Sequence, residues 1–306
     1  MYLFGDINQL PPIGKGMPFR DLLSSIPSVR LTVVKRQADG SQITYNSNLI
    51  NCNSDVGCWR ELVYGSDFNL IRCTEADIAG NVVSLVENLI NEGIGKDDIQ
   101  VVTPISKGSY TWGTVQLNRA LAPVFNPNRS YGNSFVINDV VYAVGDRVVH
   151  TKNMYGMQWY DSSFRKVYGN GVSNGEVGTI VGFVSSSDIS ILDEAEEPPM
   201  GYEYPSHIRD DRTWCGYFIV VRYYDYISDR DFYILYRAVE NPSAGSNLGI
   251  TFFSEDTDCF SMFYAGTVHK LQGSQYRVVI FAIGYVSYSG FITRQLLYTA
   301  VTRGSE

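Results

Sequence analysis

An α/β fold interrupted by an inserted all-β unit is predicted by three features of this 306-residue sequence. Strand-like and helical patterns alternate through the first 135 residues, which argues for a mainly parallel sheet with helices packed on it. Helical periodicity disappears between Val136 and Phe253, where short strand-like runs take over. After about Phe260 the alternating pattern returns. Hydrophobic residues make up 44% and charged residues 18%, enough apolar material for a packed core in two domains or one large one.

In chain order, Met1–Gly5 reads as a short apolar strand running into a Gly/Pro-rich loop, Asp6 to Gly16. A helix over Pro18–Ser25 follows, with its proline in the first turn, where no backbone donor is lost. Arg30–Val34 is read as a strand and Ser41–Asn51 as a helix. Glu75–Asn91 is a clearer helix: Thr74 and Asp77 form a capping-box pattern, and Val82, Val83, Val86, Leu89 and Ile90 make an apolar stripe. Gly93 and Gly95 end it. Ile99–Thr103 is a buried-strand candidate, followed by a helix over Thr114–Val124. The β region offers Val140–Val144, Arg147–His150, Val177–Phe183, Tyr217–Tyr224 and Phe232–Tyr236. Asn174-Gly175 is a hairpin-turn signal there. These runs predict a small barrel or sandwich, with Ser185–Arg212 as an acidic excursion. A strand after Phe260, a turn around Gly273, a strand over Val278–Ile283 and a helix over Thr293–Arg303 close the chain.

Net charge is −8, the wrong sign for coating nucleic acid by bulk charge, although a local basic or aromatic groove is compatible with it. The five cysteines are scattered without a C-x-x-C, and the three histidines lie far apart. That excludes a sequence-evident zinc site or disulfide framework and fits a cytoplasmic chain with reduced thiols. No signal-peptide pattern opens the sequence, and no apolar run reaches the ~18 residues of a membrane span.

Four segments carry candidate chemistry. Gly5-Asp6-Ile7-Asn8-Gln9-Leu10-Pro11-Pro12 follows a predicted strand, where α/β sheets place ligand groups, and Gln9 could sense a phosphate or a water held against one. Leu31–Gln37 ends in the adjacent cations Lys35-Arg36. Thr267-Val268-His269-Lys270-Leu271-Gln272-Gly273-Ser274-Gln275 is polar and precedes an apolar strand. Leu296–Arg303 is an apolar helix with an arginine near its end. Each alone has an ordinary reading: a Pro-rich turn, a solvated strand end, a helix-capping loop, and an arginine neutralising a helix C-terminus.

Together and in this order, the four resemble motifs III, IV, V and VI of superfamily 1 DNA helicases, in the RecD/TraA-like branch. Val101-Val102-Thr103-Pro104 with Gln116-Leu117-Asn118, and Asn174-Gly175-Glu176-Val177-Gly178, also fit that branch. The resemblance implies a RecA-like (P-loop NTPase-type) parallel-sheet lobe with an inserted small SH3-like β-barrel, the first lobe being only partly present. Residues 1–29 would end that first lobe, 30–135 and 255–306 would form the second, and 136–254 the inserted barrel. It implies ATP and Mg²⁺ as cofactors, with the metal's ligands outside this chain, and single-stranded DNA as partner.

By the same resemblance, Gln9 contacts the γ-phosphate or the attacking water, and Arg36 and Arg303 are arginine fingers. Phosphoryl transfer needs positive charge on the transferring oxygens, and one such arginine is worth ~10³–10⁵ in rate. Gly5, Asp6, Gly273 and Gln275 would contribute to the nucleotide site. Relatives commonly carry glutamate at the position of Gln275; glutamine can still hydrogen-bond there. Thr267, His269 and Lys270 would lie near the DNA phosphates. In the inserted unit, Lys152, Asn153, Tyr155, Trp159 and Tyr160 mix cations with aromatics, as base-stacking platforms and ordinary barrel rims both do; Tyr155 and Trp159 are the DNA candidates among them.

The sequence holds no G-x-x-x-x-G-K-[ST] phosphate loop: Gly14-Lys15 and Gly95-Lys96 lack its spacing. Ile189-Ser190-Ile191-Leu192-Asp193-Glu194 looks like a magnesium-binding strand but lies in the acidic excursion, and is read as a decoy. The expectation is the C-terminal motor portion of an ATP-dependent helicase with 5′→3′ polarity, inactive alone, its N-terminal lobe supplied by the same polypeptide or a partner chain. It would work in the cytoplasm or at a site of viral or plasmid DNA replication. A relaxase–helicase or recombination subunit fits the same motifs. The alternative is a non-catalytic module, derived from a helicase, that binds single strands or a protein partner.

Overall fold

A computed structural model describes the chain except for residues 1, 12–13, 15, 32–39, 53–60, 107–109, 130–133, 138–139, 194–207, 241–249, 254–255, 286–291 and 306. Helices α1 (Pro18–Leu23), α2 (Gln42–Cys52) and α3 (Ile78–Asn91) precede strand β1 (Ile99–Thr103) and helix α4 (Thr114–Phe125). A run of strands follows: β2 (Ser134–Ile137), β3 (Val140–Ala143), β4 (Arg147–His150), β5 (Met154–Tyr160), β6 (Lys166–Val172), β7 (Val177–Ser185), β8 (Tyr217–Asp225), β9 (Arg230–Glu240), β10 (Ile250–Phe253) and β11 (Phe260–Met262). Strands β12 (Ala265–Thr267) and β13 (Val278–Phe281) and helix α5 (Arg294–Val301) complete it. Two compact units result, one of residues 1–121 with 265–306, the other of residues 122–264.

In the first unit β1 is the central strand, parallel to β12 on one side and β13 on the other. Its five residues are all buried, as a parallel strand covered on both faces requires. Helix α3 buries Ile78, Val82 and Val86, while Val83, Leu89 and Ile90 are half-buried. It ends in a Schellman motif: Ile94 N–H donates to the Leu89 carbonyl and Gly93 N–H to that of Ile90, with Gly93 at φ +91°. The expected capping box does not form. Aspartate is one methylene shorter than the usual glutamate, and Thr74 Oγ1 donates to Asp77 Oδ2 (2.6 Å), so neither side chain caps a backbone N–H. Helices α2 and α5 meet through Ile50, Leu62 and Leu297, with Phe281, Tyr298 and Val301 packed around them.

The expected strand over Met1–Gly5 is absent over residues 2–5, Met1 lying outside the described residues. Residues 2–5 have no ladder partner among the described residues, and Tyr2 and Phe4 stand 91% and 90% exposed. A strand exists only as a paired object, and apolar content alone does not make one. Of the predicted strand Arg30–Val34, Arg30 and Leu31 are irregular; the rest lies outside the described residues, as does Arg36.

The second unit is a sheet in the order β11-β4-β7-β8-β9-β10-β2-β3, with β5 pairing β6 and β9. Its pairings are antiparallel except β10 with β2. Strand β11, read in the sequence as the return of the α/β layer, pairs instead with β4, and β12 is where the parallel sheet resumes. Tyr160, Phe218, Val220 and Leu235 form one core cluster, against which Ile189 and Ile191 of the acidic excursion pack. Asp193, the decoy carboxylate, pairs with Arg212 (3.0 Å). Strands β5 and β6 escaped the sequence reading because their pairing is bulged and carries Gly156, Gly169 and Gly171, which breaks the two-residue alternation.

Candidate functional site

The loop before α1 is held by α5 and by the polar turn after β12. Asp6 organises it locally, accepting from Asn8 N–H (2.9 Å) and from Gln9 Nε2 (3.3 Å). Tyr298 Oη donates to the same carboxylate (3.1 Å), and Gln295 Nε2 to the Ile7 carbonyl (3.5 Å). Buried Leu10 is gripped at both backbone polar groups: its N–H donates to Thr299 Oγ1 (2.9 Å), and its carbonyl accepts from Gln272 Nε2 (2.6 Å). Gln9 therefore sits between an anchored carboxylate and an anchored peptide. Gly5 is exposed and faces the ring of Phe19, where a Cβ would meet Cζ at 2.9 Å.

Arg303 ends the same assembly. Only 2% of it is exposed, although it carries a guanidinium. Nε donates to the Thr299 carbonyl (3.0 Å), NH1 to the Ser274 carbonyl (3.0 Å) and NH2 to Thr302 Oγ1 (3.3 Å). Tyr276 N–H donates to the Arg303 carbonyl (2.9 Å) and Ser305 N–H to that of Tyr276 (3.0 Å). Arg303 thus braces the 267–275 turn against α5, in a geometry of carbonyl contacts that a sequence reading of it as a phosphate ligand does not anticipate.

The turn grows from the carboxyl end of β12. Thr267 is buried; its Oγ1 accepts from Lys270 N–H (3.3 Å) and its carbonyl from Leu271 N–H (3.1 Å). This places half-buried His269 and then Lys270 just beyond the strand, where desolvation draws the Lys270 ammonium below its ordinary value. Gly273 has φ +94° with open space beside it, and Gln275 is exposed. Asn118 of α4 fixes the start of β12, its Oδ1 accepting from Ala265 N–H and its Nδ2 donating to the Ala265 carbonyl, both at 2.9 Å.

Tyr155 and Trp159 belong to the second unit. Tyr155 is 64% exposed. The Trp159 ring stacks on Phe232 (centroids 3.8 Å apart, 13° between planes), and its Nε1 donates to the Gly171 carbonyl (2.7 Å). A Cβ on Gly169 would overlap the indole. The ring is a packed wall of the β-unit, and of the two aromatics only Tyr155 presents a largely exposed ring. Among the described residues no group of three or more His, Cys, Asp or Glu side chains could hold a metal ion.

Sequence reasoning missed Thr299, Gln272 and Tyr298 as site residues. Thr299 Oγ1 also donates to the Gln295 carbonyl one turn back (2.7 Å), an ordinary habit of a helical threonine that hides its second partner.

A short, wholly parallel layer with flanking helices, carried with an antiparallel sheet in one chain, fits a RecA-like lobe. Residues 262–306 match the model of the UvrD-like helicase C-terminal domain. The chain is 24% identical over 304 residues to the ATP-dependent RecD2 DNA helicase of Deinococcus radiodurans, covering 99% of this chain and 31% of that protein. It is 24% identical over 345 residues to the uncharacterized protein MJ1519 of Methanocaldococcus jannaschii, covering 99% of this chain and 25% of that one. It is also similar to the Bacteroides Pif1 helicase solved with ADP-AlF3 and single-stranded DNA, at 17% identity, TM-score 0.43, 99% of this chain and 59% of that one. The chain spans about a third or less of the length of these curated relatives. The family match and the relatives support a superfamily 1 helicase C-terminal part.

Proposed function

We propose that this chain is the C-terminal motor portion of an ATP-dependent DNA helicase that translocates on single-stranded DNA, 5′→3′, and couples hydrolysis to strand separation. The observation that carries the reading is the joining of three motif segments: the Gln9 loop, the 267–275 turn and α5 converge on the Leu10 peptide. In this reading Gln9 faces the γ-phosphate or attacking water, and Gly5, Asp6, Gly273 and Gln275 line the nucleotide site. Arg36 and Arg303 supply positive charge; for Arg303, that use requires NH2 to exchange Thr302 Oγ1 for a phosphate oxygen. ATP and Mg²⁺ bind with a further lobe that carries the phosphate loop and the metal ligands. Thr267, His269, Lys270 and Tyr155 contact single-stranded DNA. Residues 1–29 belong with that further lobe; with the expected bounds moved to those of the compact units, 30–121 with 265–306 form the second lobe and 122–264 the inserted SH3-like unit. Polarity follows from the likeness to the RecD branch.

The alternative is a non-catalytic module, derived from a helicase, that binds single strands or a protein partner without turnover. The source nucleic acid read upstream of Met1 in frame separates the two. Continuation into G-x-x-x-x-G-K-[ST] and a strand ending Asp-Glu supports the motor; a stop codon there supports the module or a split partner.

A further inference from the structure

We infer that Gln272 and Thr299 are positioning residues that tie the Gln9 loop to the turn bearing His269 and Lys270. The inference rests on the reading of Gln9 and of the 267–270 turn given above. A non-proline residue has one backbone donor and one backbone acceptor, and at Leu10 both are held by side chains from different parts of the chain. Thr299 takes the donor from a helix whose position is set by the packing of Leu297 and by the Arg303 brace. Gln272 takes the acceptor and lies two residues beyond Lys270 in the same turn.

These two bonds have different consequences. The Thr299 bond is buried and fixes the height of the loop on α5. The Gln272 bond is partly buried, and its donor rides on the turn that begins at Thr267. Displacement of that turn by a bound strand therefore pulls on the Leu10 carbonyl, one residue from Gln9. Gln9 is itself parked on Asp6, which Tyr298 also holds. Gln272 is the link through which strand binding reaches the loop, and Thr299 is the fulcrum.

The test uses the ¹⁵N-labelled 306-residue chain titrated with a 12-nucleotide oligothymidylate, following the amide signals of Lys270 and Leu10. In the parent protein both move along one binding curve. In Gln272→Ala, Lys270 still responds, and the Leu10 response falls at least threefold. Thr299→Val speeds hydrogen exchange of the Leu10 amide at least fivefold, the change expected for one lost hydrogen bond. Thr299→Ser, which keeps the hydroxyl, leaves it within twofold. Equal Leu10 responses in parent and Gln272→Ala, or a silent Leu10 while Lys270 moves, overturn the link and leave the nucleic-acid reading intact. Silence of both amides in the parent overturns the two together, and unchanged Leu10 exchange in Thr299→Val removes the fulcrum.

Discussion

Acidification should destabilise the second unit through one residue, His150. Its side chain is fully buried on β4, Nδ1 lies 3.0 Å from Tyr236 Oη, and Tyr236 Oη lies 2.7 Å from Tyr223 Oη. Nε2 is buried without a hydrogen-bond partner among the described residues. Burial lowers the imidazole from its ordinary value of about 6.5 to about 4; Asp256 opposes this and Lys152 adds to it. A folded value below the unfolded one means that the unfolded chain takes up the proton first. The stability is therefore fully present above pH 6.5 and is lost as pH falls toward 4. The gap corresponds to about 3 kcal/mol in total, of which about 2 kcal/mol disappears between pH 7 and pH 5. Urea denaturation followed through Trp159 and Trp214, both in this unit, reads the loss. The comparison is with His150→Leu, which removes the titrating group but leaves Tyr236 its Tyr223 partner. Parallel stability–pH curves for parent and variant would refute the reasoning.

Gly169→Ala should cost at least about 2 kcal/mol in the same assay, because its Cβ overlaps the Trp159 ring and φ is +130°. Asp211→Asn should cost about 3 kcal/mol or more: the buried carboxylate accepts from Arg209 (2.7 Å), Arg237 (3.0 Å) and Tyr160 Oη (3.0 Å), and neutralising it leaves two guanidiniums facing an amide. Arg303→Met should cost about 2–4 kcal/mol by orphaning the Thr299 and Ser274 carbonyls, with exchange of the Tyr276 amide accelerating before global unfolding. Protection at Tyr276 unchanged in that variant would show that the brace is unimportant.

Much of this arrangement was legible in the sequence wherever a local rule decides. Ile99–Thr103 reads as a buried-strand candidate and is a buried strand, and Gly93, read as ending α3, forms its left-handed cap. What was not legible depends on partners distant in the chain. Residues 2–5 have strand-like composition and no neighbour to pair with; Trp159 looks like a stacking platform until Phe232, 73 positions later in the numbering, occupies its face. At the site, the motif residues announced themselves by type, but the grip on Leu10 joins positions 262 and 289 apart. Arg303 shows the same limit: its identity suggests a phosphate ligand, but nothing in the sequence announces the carbonyls of Thr299 and Ser274 that its Nε and NH1 bind.

Steady-state ATP hydrolysis, measured with and without a single-stranded oligonucleotide, tests the central proposal most directly. The 306-residue chain is compared with a longer polypeptide extended upstream through a phosphate-loop lobe. The account predicts no turnover by the chain alone, DNA-stimulated turnover by the extended protein, and loss of that turnover in its Gln9→Ala variant. DNA-stimulated hydrolysis by the 306-residue chain, or full activity of the extended protein without Gln9, would contradict it.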